Sequence, residues 1–492
     1  IEECAEMDVL CTDKTGTLTQ NRPTVAALRP YPPHSEAELL RLAALACDEA
    51  TQDPIDLAVL EAAKARDGLR APVERVRFIP FDPVTKKSGA AFYQAGAAQY
   101  VFKGAPQVIG PLTAVPAERL TRDVETLAQE GARVLAVAAG PEGALELAGL
   151  VALHDPPRSD SKALIDSLHQ LGVRTLMVTG DSPATAKVVA AQVGIGTRAS
   201  PRGGLDQVPE GQILEYDVFA RILPEGKFRL VQALQRTGHI IGMTGDGVND
   251  APALRQAEVG IAVAQATDVA KSAASLVLTS PGLVDVVAAV ETSRRIHQRM
   301  LTYTLNKIVK TFEISLLLSL GLLVGRVFLT TPLLIVLLLF ANDFVTMSIA
   351  TDRVSFGRVP DRWNVRPLVV AALGVAAFLL LFSFAIAWVG LRVLRLPLAS
   401  LQTLMFVWLV LSGQATVYLV RERGHFWRTW PSRWMMASTA GDLIGVSLLA
   451  ARGWLMAPIP PLVLMALLGV ALLYVVTADQ LKVPLFRSCG MR

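Results

Sequence analysis

The chain carries two hydrophobic patterns. From about residue 293 onward, apolar stretches of spanning length recur near 302–324, 332–351, 368–391, 399–420, 435–456 and 458–477. A soluble core helix seldom runs so far without charge, so the pattern predicts a transmembrane domain of about six helices over 293–492. Before that point the apolar runs are short. Residues 9–11 and 240–243 read as buried strands, and each runs into an acidic, Gly-rich turn. Residues 150–153 and 174–178 read as further strands, alternating with helical spacing over 161–171 and 185–193. That is the βαβ order of a parallel sheet with right-handed crossovers. Between 22 and 149 the pattern changes again: Pro30, Pro32 and Pro33 mark a linker, helical spacing covers 36–50 and 54–65, and strand-like runs occupy 76–78, 89–93, 99–102 and 133–137. This predicts an α+β domain over 22–149, inserted into a first domain made of 1–21 and 150–292.

Composition agrees with two solvents. The 492 residues exceed one ordinary domain. Hydrophobic residues make up 52% and mean hydropathy is +0.42, too apolar for a wholly soluble enzyme and too charged for a pure membrane bundle. The net charge of +4 is small for this length, reads as inner-leaflet bias and makes no case for nucleic acid. Cys4, Cys11, Cys47 and Cys489 show no paired spacing, which predicts a reducing environment without a disulfide frame or zinc site. The histidines, none of them four residues apart, argue against a histidine metal site. A chain that opens a few residues before its most reactive motif is expected to be part of a longer protein.

The basic residues predict orientation. Arg294, Arg295 and Arg299 precede the first span; Arg353, Arg358, Arg362 and Arg366 separate the second from the third. Arg421, Arg423, Arg428 and Arg433 separate the fourth from the fifth, and Lys482, Arg487 and Arg492 lie in the tail. These alternate loops are expected on the cytoplasmic side of a multi-pass plasma or inner membrane protein, with the first two domains.

The two acidic turns carry the chemistry. The first is Asp13-Lys14-Thr15-Gly16-Thr17-Leu18-Thr19; the second is Thr244-Gly245-Asp246-Gly247-Val248-Asn249-Asp250. Strands ending in such loops suit the carboxyl edge of a parallel sheet, where α/β folds place their sites. Asp13 is a carboxylate nucleophile candidate, able to form an acyl phosphate. Bringing it to the γ-phosphate of ATP sets like charges together, so a Mg²⁺ shared by Asp13 and Asp246 is needed to offset the repulsion. Lys14 adds positive charge beside the nucleophile, and Thr15 is placed to reach phosphate or metal. Thr179 and Gly180 offer a hydroxyl and a backbone N–H to a phosphoryl oxygen where a helix begins. Asp181, Asn249 and Asp250 stand in the same loops and join the candidate catalytic set; Lys227 starts an amphipathic helix, with Arg221 just upstream as a candidate toward a nucleotide. In the inserted domain, residues 81–88 offer the aromatic face of Phe81 with Lys86 and Lys87, and Phe102-Lys103-Gly104 offers a lysine in a tight turn. Adenine binds well on an aromatic plane with a cation nearby.

The strings at 13–19 and 244–254 resemble the phosphorylation and hinge motifs of P-type ATPases, and the resemblance covers nearly the whole chain. It implies a haloacid-dehalogenase-like (Rossmannoid) α/β phosphorylation domain with an inserted α+β nucleotide-binding domain, followed by an all-α transmembrane bundle. It implies an aspartyl phosphate at Asp13, with Lys227 contacting the phosphoryl group. Phe81 would stack on adenine, Lys87 and Lys103 would line the pocket, and Arg133 would contact the nucleotide. The family's acidic adenine contact falls on Asp53 or Asp56. Asp155 and Arg158 match the element that links the nucleotide and catalytic domains. Where related phosphatases carry a second aspartate as general acid and base, this chain has Thr15, which is expected to slow hydrolysis of the acyl phosphate.

The membrane half resembles the plasma-membrane proton-pump branch, whose Asn-Asp pair matches Asn342-Asp343, and the resemblance makes Asp343 the expected proton carrier. Those pumps carry an arginine where this chain is aligned with Glu313, and Lys310, on the same helix face, is expected to replace it. Glu313 and Asp343 together would instead form a metal-ion cage, so the readings left open are a pump for another cation such as Mg, Ca or K, or a membrane-tethered phosphohydrolase or regulatory remnant. The family's actuator domain and first spans are absent from the chain, so it is expected to bind ATP and to phosphorylate Asp13 without completing transport. The expected partners are ATP, the transported cation, the lipid bilayer and the missing N-terminal part of the same pump.

Overall fold

The computed structural model describes residues 1–66, 75–82, 84–94, 97–129, 131–201, 204–360 and 364–491. Arg362 and Arg492, counted among the basic residues above, lie outside them. The chain forms two compact units, residues 6–290 with 358–360, and residues 1–5 with 291–357 and 361–492.

In the first unit β1 (Val9–Asp13) is buried along its whole length, as its unbroken apolar run requires of a central strand. The chain then builds an antiparallel sheet from β2 (Thr24–Pro30), β3 (Arg75–Asp82), β4 (Lys87–Gln94), β5 (Ala97–Gly104), β6 (Arg133–Gly140) and β7 (Glu146–His154), in the order β2-β7-β6-β5-β4-β3. The helices α1 (Glu36–Leu45) and α2 (Pro54–Ala65) cover one face through Leu39, Leu40, Ala43, Val59 and Ala63. The chain returns for β8 (Arg174–Val178), β9 (Val218–Phe219), β10 (Ile241–Gly245), β11 (Val259–Ala262) and β12 (Leu276–Val277). With β1 these form a parallel sheet, β12-β11-β10-β1-β8-β9. The helices α3 (Ser161–Gln170), α4 (Pro183–Val193) and α5 (Pro224–Arg236) are its crossovers. Ser182 caps α4 by accepting from Thr185 N, Pro183 fills its first turn, and Gly194 at φ 83° ends it.

One predicted strand belongs elsewhere. Residues 150–153 fall in β7, which pairs antiparallel with β2 and β6 of the inserted sheet and not with the parallel sheet. An apolar run buried on both faces looks the same in either setting, and only the pairing partner separates them. That partner, β2, alternates exposed and half-buried positions and ends in Pro30, so its stretch reads as linker.

In the second unit five helices are long and apolar enough to cross a membrane: α7 (Pro332–Ser348, extended by a 3₁₀ turn to Thr351), α8 (Val365–Trp388, extended by a π turn to Val393), α9 (Leu398–Val420), α10 (Arg433–Arg452) and α11 (Pro461–Ser488). The sixth predicted stretch, 302–324, lies almost wholly in the forty-residue helix α6 (Val284–Leu323), where Lys307, Lys310 and Glu313 keep it out of that set. The helix α9 is the core of the bundle, 94% buried, with Trp408 fully enclosed.

Candidate active site

The parallel sheet places β1 between β10 and β8, so the loops after Asp13, Val178 and Gly245 meet at one edge. Asp13 N donates to Thr244 Oγ1 at 3.1 Å, and that hydroxyl donates to Thr12 Oγ1 at 3.2 Å, which registers the two acidic turns. Lys227, on the first turn of α5, puts its ammonium 2.7 Å from both Asp13 Oδ2 and Asp250 Oδ1. Asp250 Oδ2 accepts from Asp246 N and Gly247 N, each at 3.2 Å, and so shapes the second turn. Lys14 pairs with Asp181 Oδ2 at 2.5 Å, tying the nucleophile loop to the loop after β8. Asp181 N in turn donates to Thr179 Oγ1 at 3.2 Å. Gly180 stands between them, Asn249 is exposed, and Arg221, exposed in a left-handed conformation at φ 55°, donates its backbone N–H to Asp181 O at 2.9 Å.

Asp13, Asp246 and Asp250 each offer an oxygen within 4.8 Å of the others, and among the described residues no other group of three acidic, histidine or cysteine side chains gathers so closely. Burial pushes the Asp246 carboxyl up to about 6, and the charges of Asp13 and Asp250 push the same way. Burial also raises Asp13, against the pull of the Lys227 ammonium. Burial works against the charge on Lys227, but Asp13 and Asp250 outweigh it and hold its pKa above the ordinary value. Three carboxylates therefore face a single ammonium, a donor set that fits a hard divalent cation. Gly16 is required here: its φ is 70°, and a Cβ would lie 3.1 Å from Asp246 Oδ2. Thr15, the third predicted metal contact, follows Asp13 in the same loop and lines the neighbouring cavity.

That cavity, about 200 Å³, is bounded by Lys14, Thr15, Asp53, Arg133, Asp155 and Thr185 among others, so the inserted sheet and the nucleophile loop share it. Asp155 binds the chain that leaves the nucleophile, accepting from Thr19 Oγ1 at 2.6 Å and Arg22 N at 3.2 Å. Arg158 N donates to Leu18 O at 3.0 Å, while its guanidinium lines a second cavity with Gly16, Gln20 and Arg22.

The predicted nucleotide contacts divide. Phe81 is exposed. Lys87 lies 4.9 Å over the Phe102 ring. Lys103 pairs in register with Ser88, next along β4, so Lys87 and Lys103 leave opposite faces of the sheet. Lys103 is buried, with its ammonium bonded to Asp56. The two acidic candidates thus have separate partners: Asp53 caps α2 by accepting from Ile55 N at 2.8 Å and lines the cavity, while Asp56 holds Lys103 and accepts from Asp48 N at 2.9 Å. Thr244 and Thr12 were given no role by sequence reasoning, since a threonine beside an acidic motif carries no signal until the strands are registered.

The membrane candidates also separate. Asp343 is exposed, 3.5 Å from Lys307. Lys310 does not take the place of an Asp343 partner: its ammonium is bonded to Glu313, to Leu409 O at 3.0 Å and to Ser412 Oγ at 3.1 Å. Glu313, fully buried, also accepts from Ser383 at 3.0 Å and Ser412 at 3.1 Å, so Glu313 and Asp343 face different partners and form no common cage. Asn342 Oδ1 packs where a Cβ on Gly413 would stand, 2.3 Å away.

The fold is thus a parallel α/β sheet with an acidic, metal-fitting edge and a second sheet inserted after its first strand. Residues 7–258 match the haloacid dehalogenase-like hydrolases. A Methanocaldococcus jannaschii protein with the provisional name cation-transporting ATPase is 39% identical over 477 residues, 93% of this chain and 59% of that protein. A plasma membrane ATPase of Dunaliella bioculata is 34% identical over 411 residues, 78% of this chain and 36% of that protein. The chain therefore belongs to the haloacid dehalogenase-like hydrolases and, within them, to the P-type ATPases. It spans little more than half the length of the first relative and about a third of the second.

Proposed function

We propose that this chain is the phosphorylating and membrane part of an ATP-driven cation pump in which Asp13 carries the phosphoryl group. The observation that carries this reading is Asp13 set between the Lys227 ammonium at 2.7 Å and the Asp246 carboxylate, beside a cavity reached by Arg133 of the inserted sheet. In the proposed step an Asp13 oxygen attacks the γ-phosphorus of ATP, the new O–P bond forms as the bond to the β-phosphate oxygen breaks, and ADP leaves with the electron pair. Asp13 and Asp246 would hold Mg²⁺, which when bound offsets charge between carboxylate and phosphate. Lys227 neutralises Asp13 and Asp250 and stands ready for the transferred oxygens, while Thr179 and Gly180 supply donors to them. Lys14, held by Asp181, keeps the two loops in register. Asp250 and Asn249 shape and border the second turn. The nucleotide would lie on Phe81 with Arg133 toward its phosphates; Lys87, Lys103, Arg158 and Arg221 belong to the same proposed surface. Thr15 leaves no carboxylate poised to activate water, so the acyl phosphate persists.

The proton is the cation favoured by the resemblance of Asn342-Asp343 to the proton pumps. Glu313 is neutralised by Lys310, Asp343 lies 3.5 Å from Lys307, and Asp442 on α10 accepts from Gln414 at 2.8 Å; among these carboxylates the resemblance selects Asp343 for the ion. The catalytic unit would lie on the cytoplasmic side of a plasma or inner membrane, following the basic loops. Labelling with γ-labelled ATP tests the first step: acid-stable, hydroxylamine-labile label is expected on the wild type and none on Asp13→Asn, and equal labelling of both would refute it. A cation panel on the ATPase activity of the full-length protein, with Asp343→Asn alongside, then identifies the ion.

A further inference from the structure

The connection between α9 and α10, residues 421–432, is tied down by buried charge. Arg421 pairs with Asp352 through Nε at 2.8 Å and Nη2 at 3.1 Å, and its Nη1 donates to Thr429 O at 2.7 Å. Asp352 also accepts from Ser432 N at 3.0 Å, where α10 begins. On α11, fully buried Asp479 accepts from Phe426 N at 3.0 Å, pairs with His425 Nδ1 at 2.6 Å and takes the Lys482 ammonium at 2.8 Å. Glu422 is bonded to the Thr429 hydroxyl. The acidic groups around the loop are thus spent on holding it.

What the loop presents outward is different. Trp427, Trp430 and Trp434 are 57%, 79% and 61% exposed, and Arg428 and Arg433 are exposed beside them. His425 stacks on Trp427 at 4.5 Å, and the Arg433 guanidinium lies 5.6 Å over the Trp434 ring. Among the described residues neither Arg428 nor Arg433 has an acidic partner. Both flanking helices are of membrane-crossing length, so the loop stands where the hydrocarbon ends. Indole rings settle at that level, and guanidinium forks match phosphate oxygens two bonds at a time. We propose that this tryptophan–arginine collar binds the headgroups of anionic glycerophospholipids. Two uncompensated positive charges favour a headgroup of net negative charge over a zwitterionic one. Free phosphate would satisfy the arginines but leave three large rings in water, whereas a lipid covers both. The fixed loop spares the cost of ordering its backbone on binding.

Native mass spectrometry tests this on the full-length protein, stripped of lipid in detergent and titrated with phosphatidylglycerol or phosphatidylcholine. The wild type is expected to retain phosphatidylglycerol at a concentration about 25-fold lower, the product of two arginines. Arg428→Gln with Arg433→Gln is expected to erase that preference, roughly fivefold per arginine, and to leave phosphatidylcholine retention unchanged. The paired Lys substitutions should keep most of it. An unchanged melting temperature checks that the exposed substitutions preserve the fold. Equal retention of both lipids by the wild type overturns the proposal without any variant, as does a preference that survives both Gln substitutions. A dimer that these substitutions dissolve would make the collar a contact between copies and overturn it as well.

Discussion

In the metal site proposed around Asp13, a proton and a divalent cation would compete for the same oxygens. The Asp246 carboxyl is raised from 3.8 to about 6 in the folded protein, chiefly by burial and then by its acidic neighbours. Its protonation therefore stabilises the metal-free fold below the unfolded value, and that contribution is lost as pH rises through about 6. Mg²⁺ bound as proposed would displace this proton. At fixed concentration, the rise in melting temperature given by Mg²⁺ is expected to be small near pH 5 and to reach a plateau above about pH 7. A shift independent of pH would separate Asp246 from the metal. Lys227 is the complementary case. Lys227→Ala leaves Asp13 and Asp250 buried without their shared ammonium, expected to cost ~3–5 kcal/mol in denaturant unfolding. It should also slow labelling of Asp13 by about 10²–10³-fold, the usual effect of removing one stabilising donor. Gly16→Ala combines a left-handed strain of ~1–2 kcal/mol with a methyl pushed against Asp246, so weaker Mg²⁺ stabilisation is expected along with the loss of stability.

Between residues and the whole lie the elements that hold the loops, and here Thr19 and Asp155 matter more than their lack of chemistry suggests. Their 2.6 Å bond fastens the end of the nucleophile loop to the strand that returns from the inserted sheet. Thr19→Val keeps the shape and leaves a carboxylate oxygen without its donor, so ~1–3 kcal/mol of destabilisation is expected, with slower Asp13 labelling and little change in nucleotide affinity. Equal labelling rates would show that the loop holds itself. The strands β1 and β8 were legible because each holds a three-residue apolar run, at 9–11 and 176–178, that leads into a motif loop. The same logic misassigned 150–153, since burial on both faces does not say which sheet does the burying. The acidic edge was legible for a local reason: its groups sit in two contiguous strings. The partners of Lys103 and Lys307 were not, because Asp56 and Asp343 lie 47 and 36 residues away and only packing selects them. Lys310 and Glu313 are three residues apart on one face, yet family likeness directed the lysine to Asp343 instead.

At the scale of the membrane unit, long apolar helix faces are uncovered while one charged pair is enclosed within the bundle. The helices α7, α10 and α11 are mostly uncovered along their apolar lengths, while α9 is almost wholly enclosed. Into that enclosure α6 sends Lys310 and Glu313, and α8 and α9 answer with Ser383, Ser412 and a backbone carbonyl, while Trp408 Nε1 donates to Ser383 Oγ at 2.8 Å. The pair is neutral as a unit and its hydrogen-bonding groups are met from three helices, which suits a fixed tie more than a carrier that must gain and lose an ion. The two roles predict different variants. Glu313→Gln leaves the Lys310 ammonium buried without its counter-charge, so the full-length protein in detergent is expected to lose ~3–5 kcal/mol of stability. Replacing both, Lys310→Met with Glu313→Gln, should recover most of that loss, because no unpaired charge remains. Asp343→Asn, at an exposed position beside Lys307, should leave stability nearly unchanged while abolishing cation-dependent ATPase activity. If instead Glu313→Gln abolishes that activity at full stability, Glu313 carries the ion and the assignment of Asp343 falls.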